Sequence, residues 1–337
     1  MSSPSIEALV GVRMLSFAQA VNEALAEELR RDPTVFIIGE DVAEAGTPFK
    51  VLSGLLEEFG PERILDSPIS EAGITGLGVG AAMTGMRPVV DIMFGDFLTL
   101  VMDQLANQAA KAHYMSGGRL KVPLTLRTTL GATRRSAAQH SQSLQAWVAH
   151  VPGLKVVLPS TPADAKGLLK SAIRDDNPVV VIEDKMDYAV KGEVPEGEYT
   201  IPLGVAEVKR VGTDITIVAT SSMVRVALAA AEQLEHDGIS AEVVDPRTLS
   251  PLDEDTLVRS AEKTGRALVV DEGPQRYGVT AEIAAVISAR AFYSLDAPVR
   301  RLGALDVPVP FSPTLEDVTV PTAETVAHAA RELCGEA

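Results

Sequence analysis

The chain has 337 residues, 46% of them apolar and 23% charged, with a formal net charge of −16. That length asks for two cores, the composition excludes a disordered chain, and the negative charge argues against nucleic acid or anionic lipid as partners. The one cysteine, Cys334, allows no intrachain disulfide, and no segment reaches the roughly 18 unbroken apolar residues of a membrane span. The leading MSSPSIEALVGVRMLSF is too briefly apolar for a signal peptide and contains Glu7, so a soluble, cytoplasmic protein is expected.

In chain order, Ser16–Leu29 reads as an amphipathic helix opened by a Ser16/Gln19 capping box. TVFIIG (34–39) is an apolar strand, 52–59 a short helix, 63–66 a short strand and 74–83 a small-residue helix. PVVDIM (88–93) is a strand, 96–115 a long helix closed by Gly117-Gly118, and VPLTLR (122–127) a strand. After a polar loop at 128–141 come helix 143–150, strand 154–159, helix 163–174 with Pro162 in its first turn, and strand 179–183. A Gly-, Pro- and charge-rich stretch at 184–202 interrupts this rhythm. Strands at 215–220, 241–245, 267–272 and 299–303 then alternate with helices at 224–236, 253–263, 279–291 and 322–333. Continuous apolar strands between helices predict an α/β protein with parallel sheets covered on both faces. The domains are drawn as 1–190, a linker at 191–203, and a smaller α/β unit at 204–337.

LDSPISEAGITGLGVGAAMTG (65–85) satisfies the dinucleotide pattern Gly-x-Gly-x-x-Ala at Gly76, Gly78 and Ala81. A dinucleotide needs the helix N-terminus free for its pyrophosphate. Here Ser67–Glu71 intervenes after the strand, and Glu71 puts an anion where the phosphate would sit, a repulsion on the order of 1–4 kcal/mol at 4 Å. The glycines read instead as a stripe for close approach of a partner backbone or a flat ring. From position alone, Glu71 is an acid favoured by the helix dipole.

Residues 65–97, AAQHSQSLQAW (137–147) and 150–181, together with GEDV (39–42) and VVDPRTLSPLD (243–253), closely resemble the β subunit of the E1 component of 2-oxoacid dehydrogenase complexes. The family includes the pyruvate, branched-chain 2-oxoacid and acetoin enzymes. The resemblance implies a pyrimidine-binding N-terminal domain and a transketolase-like C-terminal domain. It also implies thiamine diphosphate at the interface of an α2β2 heterotetramer, with the α subunit gripping Mg2+ and the diphosphate through a motif beginning Gly-Asp-Gly. This chain contains no Gly-Asp-Gly.

The resemblance assigns Glu71 to hydrogen-bond the pyrimidine N1′, a contact that burial strengthens. It places Met93 and Phe97 against the aminopyrimidine ring, and His140 in the active-site channel, where an imidazole can give and take a proton. Arg134 and Arg135, in the same loop, are candidates to attract a substrate carboxylate. His113, His150, His236 and His328 take no role. Leu124, Ala172, Ile173, Asp175 and Asn177 match a potassium site built mostly of backbone carbonyls.

The implied reaction is decarboxylation of a 2-oxo acid, pyruvate first, and reductive acylation of a lipoyl group on E2, an oxidoreductase step with a disulfide acceptor. E2 subunit-binding domains tend to be basic, so this acidic chain is expected to dock there with salt-sensitive affinity. Acetoin or a branched-chain 2-oxo acid are alternative substrates. Other readings are a nicotinamide oxidoreductase, testable by NAD titration, a single-chain transketolase-like enzyme, for which the chain is too short, and a subunit that kept the fold without the chemistry.

Overall fold

The computed structural model describes residues 11–335, so most of the leading segment just read lies outside the described residues. β1 (Val12–Ser16) enters α1 (Phe17–Arg31) through the expected capping box. Ser16 Oγ accepts from Gln19 N at 3.2 Å, and Gln19 Oε1 accepts from Ser16 N at 2.8 Å. There follow β2 (Val35–Gly39), α2 (Leu55–Phe59), β3 (Ile64–Asp66), α3 (Glu71–Met83) and β4 (Arg87–Ile92). The long helix expected over 96–115 is interrupted. A 3-10 turn at Gly95–Phe97 leads into α4 (Leu98–Met102), a wide π-helical segment at Asp103–Ala109, and α5 (Ala110–Met115). β5 (Thr125–Leu130) begins three residues later than the apolar pattern suggested. α6 (Gln145–Ala149), β6 (Lys155–Val157), α7 (Pro162–Arg174) and β7 (Val179–Asp184) complete the first βα series.

The stretch expected to be a plain linker carries β8 (Lys191–Pro195), which pairs antiparallel with β1, Val12 opposite Pro195. The second series is β9 (Glu207–Arg210), β10 (Ile215–Ala219), α8 (Met223–His236), β11 (Ala241–Asp245), β12 (Thr248–Ser250), α9 (Glu254–Thr264), β13 (Ala267–Pro274), α10 (Val279–Arg290), β14 (Arg300–Ala304), α11 (Pro313–Glu316) and α12 (Ala323–Cys334).

The larger sheet runs β12-β6-β7-β5-β4-β2-β3, parallel except for β12. β2 shows why its strands are apolar throughout. Val35 and Ile37 pack with Phe17 and Leu25 on one face, while Phe36 and Ile38 pack with Ile74 and Leu105 on the other. The smaller sheet, β14-β13-β10-β11-β9, is likewise covered twice, by α8 and α12 on one face and by α9 and α10 on the other.

The two units are stitched together. β12 follows the second unit's β11 yet pairs with β6 of the first sheet. Beside it, Asp164 of α7 binds Lys209 Nζ at 2.6 Å and Arg247 Nε at 2.8 Å, with Asp245 buried next to them. The two cations hold Asp164 in its charged form, while burial and the Asp164 charge push Asp245 up to about 7. No helix among the described residues is long and apolar enough to cross a membrane.

Candidate active site

The parallel strands of the larger sheet deliver their carboxyl ends to one edge, where such sheets place their sites. Glu40 follows β2, Glu71 opens α3 after β3, Met93 and Phe94 follow β4, a long loop (131–144) follows β5, and Lys185 follows β7. The residues the sequence singled out for catalysis therefore converge on this edge.

Glu71 is the first residue of α3 and only 9% exposed. Among the described residues its carboxylate has no hydrogen-bond partner. Its nearest charged company is unfavourable: burial, Asp41 and the Glu71 charge together raise Glu40 above the usual carboxylate range. A buried carboxylate normally finds a donor in its own chain. This one has the helix dipole and an open valence. Behind it, Gly78 lets α3 lie directly on the sheet, since an added Cβ would stand 2.5 Å from Val90 Cγ2. Gly76 and Gly80 are exposed, with room for an approaching surface.

Met93 and Phe97 are half-buried at the end of β4 and in the 3-10 turn after it. The turn passes so close to β5 that a Cβ on Gly95 would lie 2.1 Å from Thr129 O, and Thr129 Oγ1 donates to Met93 O at 3.2 Å. Phe94, between them, is the aromatic residue that sequence reading missed. Its ring centroid lies 4.5 Å from that of His140, and Phe97 stands edge-on to the same imidazole at 5.6 Å. Lys185, also missed, places its ammonium 5.6 Å from the Phe94 ring and donates to the backbone oxygen of His140. Burial lowers the Lys185 pKa against the pull of Asp96, Glu272 and Asp184. MFGDF (93–97) gave no way to rank its aromatic residues, and Lys185 sits in a stretch that reads as polar linker.

The two arginines part company. Arg135 is held by Glu316 and Asp317, each at 2.7 Å, and is not free for a substrate carboxylate, against the expectation for it. Arg134 lies over the Phe49 ring at 5.1 Å and donates to Lys185 O at 3.2 Å.

Beneath the edge, Arg127 of β5 forks onto Glu183 of β7 through two 2.7 Å hydrogen bonds and also binds Asp91 of β4. It donates to Tyr188 Oη at 2.9 Å as well. All four groups are buried. Against the cost of burial, Glu183, Tyr188 and Asp91 raise Arg127 far above its ordinary value.

The five residues expected to hold potassium lie together where α7 turns into β7, but their carbonyls are largely engaged. Arg87 donates to Ile173 O at 3.1 Å and Asp175 O at 3.0 Å, Asp175 N donates to Ala172 O, and Val179 N donates to Leu124 O. A cation there would use second lone pairs beside a guanidinium. A separate cleft of about 900 Å3, between Trp147, His150 and Tyr277, contains none of the catalytic candidates.

Residues 13–191 match the transketolase pyrimidine-binding domain family, and residues 204–326 match the transketolase C-terminal domain family. The chain is 50% identical to the acetoin:2,6-dichlorophenolindophenol oxidoreductase subunit beta of Bacillus subtilis (strain 168), over 96% of this chain and 98% of the relative. It is 46% identical to the 2-oxoisovalerate dehydrogenase subunit beta of the same organism and to the pyruvate dehydrogenase E1 component subunit beta of Rickettsia felis, each over 95% of this chain and 98% of the relative. A solved split-gene transketolase, an inactive β4 tetramer, superposes with a TM-score of 0.79 at 24% identity, covering 95% of this chain and 98% of that one, a likeness of fold.

Proposed function

Because this chain belongs to the transketolase-like β-subunit family of 2-oxoacid dehydrogenase E1 components, we propose that its sheet edge is half of a thiamine diphosphate site, completed by an α subunit. The observation that carries this is Glu71, a buried carboxylate at a helix start with no donor of its own. An aminopyrimidine ring nitrogen, once protonated, would supply the missing donor, and the exposed glycines of α3 leave room for a flat ring or a partner's surface. Bound here beside Glu71, Met93 and Phe97, thiamine diphosphate would supply a nucleophilic carbon and an electron sink for cleavage next to the 2-oxo carbonyl.

The rest is the work of this chain's side chains. Glu71 holds a proton at the pyrimidine N1′, which sets the ring's amino group to act as a base. Met93, Phe94 and Phe97 form an apolar shelf that excludes water and strengthens that contact. His140, seated against Phe94 and Phe97, orients the substrate carbonyl and moves a proton during acyl transfer to a lipoyl arm. The α subunit holds Mg2+ and the diphosphate, for which this chain has no Gly-Asp-Gly. The assembly is read as a cytoplasmic α2β2 tetramer serving an E2 acyltransferase, whose subunit-binding and lipoyl domains are its partners.

Pyruvate is the first substrate of this reading. The acetoin branch is the second, favoured by the 50% identity to an acetoin enzyme's β subunit, and there carbon–carbon cleavage replaces decarboxylation. The test is turnover of the co-expressed αβ pair with pyruvate, 2-oxoisovalerate and acetoin. The Glu71→Gln variant is expected to lose roughly 10²–10⁴-fold in kcat while still binding thiamine diphosphate. Normal turnover in that variant overturns the assignment.

A further inference from the structure

The loop that carries His140 is poorly self-supporting. Thr133, Arg135 and Ala137 have φ of 65°, 59° and 58°, a left-handed conformation that side chains disfavour. Within 131–141 the only backbone-to-backbone hydrogen bond among the described residues is a long one, His140 N to Ala137 O at 3.4 Å. A strained loop with so little internal bonding keeps one shape only if its surroundings impose it.

Those surroundings belong largely to the other unit. Glu272, in β13, accepts from the backbone N–H of Ala132. Glu316, at the end of α11, accepts from the backbone N–H of Arg135 at 3.2 Å and from its guanidinium at 2.7 Å. Both carboxylates are buried, Glu316 completely and Glu272 to 7% exposure. Ser222 Oγ steadies Glu272 from the side, donating at 3.1 Å. At the loop's entry Gly131, with φ +107°, lies against Glu272 and Asp184, leaving 3.1 Å for an added Cβ. A buried acceptor is not loosened by water, and at Glu272, which burial and Asp184 push well above the usual carboxylate range, the grip rests on that burial and not on charge.

We propose that the second unit sets the shape of the catalytic loop, with Glu272 and Glu316 as positioning residues for His140. Two carboxylates from distant chain segments clamp its backbone at Ala132 and Arg135, while Lys185 fixes the oxygen of His140 itself. The second unit is then part of the active-site apparatus as well as of the assembly. The inference rests on the reading of His140 as catalytic.

The test uses the assembled αβ enzyme. Glu316→Ala is expected to speed backbone amide exchange across 132–140 and to lower kcat roughly ten- to a hundredfold. In a His140→Ala background the same substitution should cost less than about twofold, because a displaced loop matters only through the imidazole. Arg135→Gln, a change on the half-exposed side chain, keeps the construction testable should Glu316→Ala fail to fold. It should show the same faster exchange with a smaller loss of kcat. Wild-type exchange across the loop in both variants overturns the clamp. So does a loss of kcat that adds in full to that of His140→Ala. Normal turnover by His140→Ala alone would instead remove the catalytic premise, leaving the exchange result to report on the clamp by itself.

Discussion

Two acidic sites of the first unit, one within the larger sheet and one at the start of α3, are built on opposite terms. Around Arg127, Asp91 and Glu183 both pair with one guanidinium, Tyr188 shares it, and three adjacent strands are bound together. At Glu71, on the carboxyl edge of that sheet, the residue is largely buried, yet its carboxylate oxygens keep contact with solvent and have no donor among the described residues, with Glu40 as a like-charged neighbour. Paired charge in a dry interior is architecture. Unpaired charge at such an edge marks a position whose partner arrives from outside.

The comparison breaks most visibly at Arg127. Replacing it with Met leaves Asp91 and Glu183 buried and unpaired, and should cost about 3–5 kcal/mol of stability. Chemical denaturation measures this, and a loss below about 1 kcal/mol would mean that the cluster is not structural. A smaller effect is expected at the junction of the two units, where Asp245 sits at about 7. The sign follows from the raised value. The contribution is fully present below the ordinary aspartate pKa near 4 and is lost as pH rises through about 7. Unfolding free energy should therefore fall between about pH 4 and pH 7, and this contribution should be flat above that. Asp245→Asn should remove part of that fall, on the order of 1 kcal/mol, whereas an unchanged pH dependence would show that Asp245 does not carry the proton. The smallest effect on stability is expected at Glu71. Glu71→Gln removes a charge that nothing among the described residues pairs, so its Tm should stay equal or rise. A marked drop would mean that Glu71 belongs with Arg127 as a structural group.

Much of the fold was legible because strands buried on both faces read as unbroken apolar runs, as VFIIG of β2 and VVVIED of β7 do. The ribbon of β1 and β8 was not, since β8 is polar, β1 is part-exposed, and the two pair across 175 or more residues of chain. The break in helix 96–115 carries no proline or glycine to announce it inside 98–115. β12 was hidden because its partner lies in the other unit. At the site, Glu71 was legible as an acid in an improper place for a phosphate, and His140 only through the family's motif. Glu272 and Glu316 could not be found from sequence, because they meet the loop across 140 and 181 residues. Their value comes from tertiary position alone. The contacts of the second unit with the loop are the feature of that unit that its sequence pattern did not announce.

The most direct measurement of the central claim follows the reactive carbon's own hydrogen. With thiamine diphosphate bound to the αβ assembly and no substrate present, exchange of the thiazolium C2 proton into deuterated water can be timed by quenched flow and proton NMR. The account predicts that Glu71→Gln slows this exchange by roughly a hundredfold or more while cofactor affinity persists. Exchange at the wild-type rate in that variant would contradict it.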